Sequence, residues 1–273
     1  LDIVPPAENV SLPVVTPEQR HANDVRFAYE DSLRKAYTST FLDRKQAEAV
    51  CPEAADYIVK SRGNHRVITD FINRHADNMP RVLTLFKTLS DKDFRDITAE
   101  ILEDNFSSKG DQVGPRVESE PVIAPFKNAL AKFFAKQADE FRANPMKLVD
   151  WMNSNLRVST DRLAQRIAQT PVGALKARLT DTRSRDIFFV DAARSLGIEA
   201  RKDEVTSKVQ YRQNGEWKDV SFSATTERKN APQGKLVLTY QPTKLLDNPK
   251  YYNHFTLSKI VDGATQLLNF EEG

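Results

Sequence analysis

The sequence predicts an α+β fold, with an all-helical first half followed by one buried helix on an antiparallel sheet. Three observations predict it. Apolar residues recur at spacings of three and four through roughly the first 140 residues. Ile187, Phe188, Phe189, Val190, Ala192 and Ala193 leave only Asp191 and Arg194 as a narrow polar stripe, the pattern of a buried helix. Beyond that helix, short strand-like runs flank Asn214-Gly215, a dipeptide suited to a tight hairpin turn.

The composition sets modest bounds. A chain of 273 residues can build one large or two ordinary domains with proper cores. Forty basic and 38 acidic residues give a net charge of +2, with no basic block, so no nucleic-acid partner is expected. No apolar run reaches the length of a membrane span. The single cysteine, Cys51, rules out an internal disulfide framework and a multi-cysteine metal site.

The opening stretch, LDIVPPAENVSLPVVTPEQ, lacks the basic and apolar regions of an intact signal peptide, and its prolines suggest an extended lead-in. Thr16-Pro17-Glu18-Gln19 then forms a capping box, which predicts a helix over 17–37. Helical patterning continues over 45–59, 65–74, 81–89 and 92–102. Residues 106–118 are rich in Ser, Gly and Pro and read as a loop. Helices are expected again over 121–138 and 145–153.

After Thr170-Pro171 the character changes. Asp181, Thr182 and Ser184 are all suitable N-caps for the helix expected over 185–196, and Gly197 is placed as its left-handed stop. Strands are expected over 199–202, 208–212, 217–222, 235–240, 251–260 and 265–270, with Asp262-Gly263 as a further tight turn. The organisation expected is a helical region over 1–140, a core over 141–225, and C-terminal β strands over 226–273. Those strands either complete the core sheet or start a β domain.

The run FFVDAARSLGIEAR from Phe188 to Arg201, with a hairpin closing on Trp217, resembles the transglutaminase-like superfamily, a papain-like cysteine fold. Arg194, Gly197, Ile198, Ala200 and Arg201 match that family's helix–turn–strand pattern without a gap. The resemblance covers residues 145–222. Gly114-Pro115-Arg116 and Glu120 look similar to the helical part that precedes the core in some bacterial members. The resemblance implies a papain-like core in which a Cys at the helix N-terminus, a His on the next strand and an Asp on the strand after do the chemistry. A thiolate there is stabilised by the helix end and by an imidazolium.

Laid on this sequence, the three positions fall at Thr182, Thr206 and Ser221, and none carries the required group. A threonine hydroxyl without an adjacent base has far too high a pKa to replace a thiolate. Ser184 and His254 are the reserve candidates for a rebuilt site. His21, His65 and His75 lie in the helical half and His65 and His75 are poorly spaced for one helical face, so no metal and no cofactor is expected. Cys51 reads as a small residue at a helix end. Arg183, Arg185 and Asp186, beside the helix N-terminus, are candidates to hold an anionic ligand or else to make ordinary ion pairs. Trp151 and Trp217 read as core anchors, and Arg201 as structural.

The function expected is therefore a catalytically inactive transglutaminase-like domain, a binding or scaffold module of an exported bacterial protein. The alternative is a hydrolase or amide-transfer enzyme with a non-standard site. The resemblance implies a periplasmic or cell-surface home, with a peptide or carbohydrate partner in a vestigial cleft. A third reading is a structural segment of a longer surface protein, because the expected C-terminal strands end abruptly at Glu271-Glu272-Gly273.

Overall fold

The computed structural model describes residues 14–159, 167–222, 236–261, 264–268 and 270. Helix α1 (Pro17–Thr38) starts at the expected capping box: Thr16 Oγ1 accepts from Gln19 N–H, and Gln19 Oε1 accepts from Thr16 N–H. None of its residues is buried, and its foot is held by Tyr37 against Phe41, with ring centroids 5.0 Å apart.

The single helix expected over 45–59 is two, α2 (Arg44–Val50) and α3 (Ala55–Ser61). The break falls at Cys51-Pro52, where proline forces the preceding residue out of the helical region; Cys51 is extended at φ −156°. α4 (His65–Arg74) has its expected bounds, and α5 (Met79–Phe86) starts two residues early with Pro80 in its first turn. The helix expected over 92–102 is also two, α6 (Asp91–Asp96) and α7 (Ala99–Phe106). Thr98 caps α7, while Asn64 Nδ2 donates to the carbonyls of Phe94 and Ile97 at 3.1 and 3.0 Å and holds the break. Ile58, Ile68, Phe71, Phe86, Phe94 and Leu102 are among the buried side chains of this first core.

Residues 107–126 form an irregular strap. Arg81 holds its start by donating to the carbonyls of Phe106, Ser108 and Gly110. The helix expected over 121–138 begins only at α8 (Lys127–Phe133). Asp104 of α7 decides this start, since its carboxylate accepts from the N–H groups of Phe126, Lys127 and Asn128 at 2.7, 2.7 and 2.9 Å. α9 (Ala138–Ala143) and α10 (Met146–Asn155) follow.

The buried side chains pass from the first core to the second between Val113 and Phe126, ahead of the change at 140 expected from the sequence. Phe134, Phe141, Leu148 and Met152 pack with Phe188 and Phe189 in the second core, and Trp151 lies edge-on to Phe134 at 4.8 Å.

β1 (Arg157–Val158), α11 (Pro171–Ala177) and β2 (Leu179–Thr180) were not expected; β1 and β2 pair in parallel. α12 (Thr182–Ser195) starts three residues before the expected helix, on the Asp181 cap. It ends in a Schellman motif, with Ile198 N–H to Ala193 O, Gly197 N–H to Arg194 O, and Gly197 at φ +79°. β3 (Ala200–Lys202), β4 (Val209–Gln213) and β5 (Glu216–Asp219) form an antiparallel sheet in that order. Asn214 and Gly215 sit at φ +53° and +82°, as a two-residue hairpin turn requires.

The strand expected over 235–240 is absent from the described part, 236–240. The 251–260 strand shrinks to β6 (Ser258–Val261) and the 265–270 strand to β7 (Ala264–Leu267). Asp262-Gly263 lies outside the described residues. β6 and β7 pair only with each other, so among the described residues they do not complete the core sheet; Lys259 Nζ reaches Thr206 O at 2.7 Å. The architecture is thus α+β. No helix among the described residues is long and apolar enough to cross a membrane.

Candidate functional site

The N-terminus of α12 is closed by its own side chains. Asp181 Oδ1 accepts from Ser184 N–H at 2.9 Å, the expected cap interaction for a helix start. Ser184 Oγ donates to Asp181 Oδ2 at 2.7 Å and accepts from Gln169 N–H at 3.0 Å. Both Asp181 and Ser184 are buried. The hydroxyl of Ser184 is therefore engaged as donor and as acceptor.

The three family positions are not brought into a triad. Thr182 is the exposed first residue of α12. Thr206, to which the resemblance gives the family's strand position, lies in the β3–β4 turn between the strands expected over 199–202 and 208–212, where its N–H and its hydroxyl both bond Asp203 Oδ1, at 2.7 and 2.8 Å. Burial raises the Asp203 carboxyl, but the Thr206 bonds and the Arg201 charge outweigh it and leave it below its ordinary value. Ser221 is likewise expected on a strand but follows the end of β5. No hydrogen bond among the described residues joins any two of these three.

The reserve pair is not formed either. His254 Nδ1 accepts from Lys250 N–H at 2.9 Å, and the ring lines a cavity with Leu238, Tyr240 and Phe255. Cys51, half-buried with a free thiol, sits at the C-terminal end of α2 in the first core. His75 Nε2 meets Glu103 Oε2 at 2.9 Å. Among the described residues, no group of three or more His, Cys, Asp or Glu could hold a metal ion.

The charged candidates beside the helix end are met by protein partners. Arg183 Nε lies 3.5 Å from Glu118 Oε2, and its Nη2 donates to Ser119 Oγ at 3.1 Å. Lys202 Nζ donates to the other Glu118 oxygen at 2.8 Å. The strap thus lays a carboxylate between two cations, so that of the two alternatives for Arg183 the ion pair is the one formed. Arg185 donates to Asp186 Oδ1 at 2.9 Å and stacks 3.9 Å over the Phe222 ring. Burial holds the Asp186 carboxyl above its ordinary value, although Arg185 pulls it down.

The matched residues make the corner that follows α12. Arg194 Nε donates to Ala200 O at 2.9 Å and its Nη1 to Arg116 O at 2.7 Å, which joins helix, strand and strap. Arg201 stacks 4.2 Å over Trp217 and donates to Gln210 Oε1 at 3.0 Å. Two adjoining cavities of about 540 and 370 Å³ open beside this corner; both are lined by Val117, Lys202, Asp203 and Glu204. Lys202 faces Val209 between the bonded pairs of the β3–β4 ladder, so its N–H and C=O point away from β4.

Behind the corner lies a group of charges that sequence reasoning did not assemble: the buried Lys127, Asp191 and Glu120 with the half-buried Arg194. Its signal in the sequence was the polar stripe Asp191 and Arg194 on an otherwise apolar helix. Burial, and then the Arg194 charge, bring the Lys127 amine down to about 7, and its Nζ donates to Gln112 O at 2.8 Å. Burial also drives the Asp191 carboxyl far above its ordinary value, against the pull of Arg194.

No protein-family model, no curated protein and no solved structure matches this chain.

Proposed function

We propose that this chain is a transglutaminase-like module without the family's catalytic groups, serving as a binding or scaffold module of an exported bacterial protein. The observation that carries the reading is the closed α12 N-terminus. At the position where a nucleophile would be needed, Ser184 is held by Asp181 and Gln169, and Thr182 has no histidine partner among the described residues. Neither hydroxyl has the histidine on which the family's nucleophile depends, and the Asp181 carboxylate that meets Ser184 Oγ is also the cap of the helix. The corner built by Arg194, Gly197 and Arg201 is consistent with a core kept as architecture after the chemistry was lost.

The groove beside β3 is the surface such a module offers to a peptide or carbohydrate, in the periplasm or at the cell surface, within a longer polypeptide. The reading is tested by incubating the protein with a glutamine-donor peptide and a labelled amine. Incorporation should not rise above the protein-free control. Incorporation that disappears in the Thr182→Ala or Ser184→Ala variant would establish the alternative, an amide-transfer enzyme with a non-standard site.

A further inference from the structure

A cavity of about 20 Å³ lies between the strap and α12, lined by Pro115, residues 120–124, Phe126, the 169–171 corner and Asp191. Two residues of its lining each carry a side-chain oxygen that is shut off from solvent and has no hydrogen-bond partner among the described residues, Asp191 at Oδ1 and Gln169 at Oε1. Asp191 as a whole is 1% exposed. The cations near it do not bond it, since Arg194 donates to the carbonyls of Ala200 and Arg116, and Lys127 donates to that of Gln112. Glu120, on the same wall, has its two oxygens taken by the N–H groups of Val117 and Glu118. Gln169 is fixed as well. Its N–H bonds Ser184 Oγ, and its Nε2 donates to Leu179 O at 3.2 Å, so turning the amide would set oxygen against oxygen.

Both orphan atoms are thus acceptors, and an occupant must donate twice. A space of this size admits one molecule of the dimensions of water. We infer that one internal water molecule sits in this cavity and donates to Asp191 Oδ1 and Gln169 Oε1, pinning the 169–171 corner to the middle of α12. Leaving two such acceptors unbonded inside the protein would be costly, and a bridging water satisfies both.

A crystal structure of the wild-type chain, at a resolution that shows ordered waters, tests this directly. The expected result is one peak at about 2.7–3.2 Å from both atoms. In solution, the amides around Gln169 and Asp191 should show magnetisation transfer from a long-lived water. Asp191→Leu, which fills the cavity with an apolar group, should lose that transfer. A wild-type map without the peak overturns the inference. So does a peak at about 2.3–2.6 Å from the carboxylate, the distance of a calcium ion.

Discussion

Arg116 meets Asp93 with two parallel N–H···O bonds, Nη1 to Oδ2 at 2.5 Å and Nη2 to Oδ1 at 2.7 Å. The backbone carbonyl of Arg116 accepts from Arg194 of α12 at 2.7 Å. One strap residue therefore holds both cores, its side chain on the helical one and its backbone on the α+β one. Asp93 is buried, and bidentate pairs of this kind combine charge with fixed geometry.

Arg116→Met should destabilise the protein by about 3–5 kcal/mol near neutral pH, because it strands a buried carboxylate. Burial raises the Asp93 carboxyl, but the bonds from Arg116 and Ser90 outweigh it and hold it below its ordinary value. A lowered folded value gives stability that is present above about pH 4 and lost as pH falls through that lower value. The gap in urea midpoint between wild type and variant should therefore narrow in acid.

Lys127 carries the opposite sign. Its amine titrates at about 7 in the folded chain and at 10.5 when free, so the unfolded chain binds more protons between those values. Wild-type stability gains a contribution from this group as pH rises through that window. Lys127→Met removes it. The variant's stability relative to wild type should be highest near neutral pH and should decline toward about pH 10, read from denaturant midpoints across the series.

Ser184→Ala removes a donor to Asp181 and an acceptor for Gln169 in a buried setting. A loss of about 1–3 kcal/mol is expected, with amine incorporation still at background. Asp181→Ala also removes the helix cap and should cost about 1 kcal/mol on that account alone. Thermal melts of the two variants check both values.

Gly197→Ala should destabilise by about 1–2 kcal/mol, the cost of a left-handed conformation for a residue with a Cβ. A Cβ there would also stand 3.3 Å from Lys109 Cβ, at the contact between strap and corner. The helix content should persist while the melting temperature falls. An unchanged melting temperature would contradict the role assigned to this corner.

What was legible in the sequence was local. The Thr16–Gln19 capping box, the bounds of α4, the left-handed Gly197 and the Asn214-Gly215 turn all depend on neighbours within a few residues. Their hydrogen bonds close inside the segment that specifies them. The Cys51-Pro52 break was equally local, since proline restricts the residue before it, but the expected helix over 45–59 ran through it because apolar periodicity alone was followed there. The site at the head of α12 was legible only as a list of residue types: Thr182, Thr206 and Ser221 could be seen to lack a thiol, an imidazole and a carboxylate.

Long-range partners decided the rest. α8 starts at Lys127 because Asp104, more than twenty residues earlier, caps it there. α6 and α7 separate because Asn64 bonds the carbonyls at the break. Arg183 and Lys202 are met by Glu118 because the strap crosses the helix end, which neither periodicity nor spacing could show. By itself, the sequence determined an α+β chain with a helix–Gly197–strand corner. Only the tertiary structure decided what covers the head of α12. The reason is physical: caps and turns draw on adjacent backbone groups, whereas buried charges take whatever partner the packed chain brings to them.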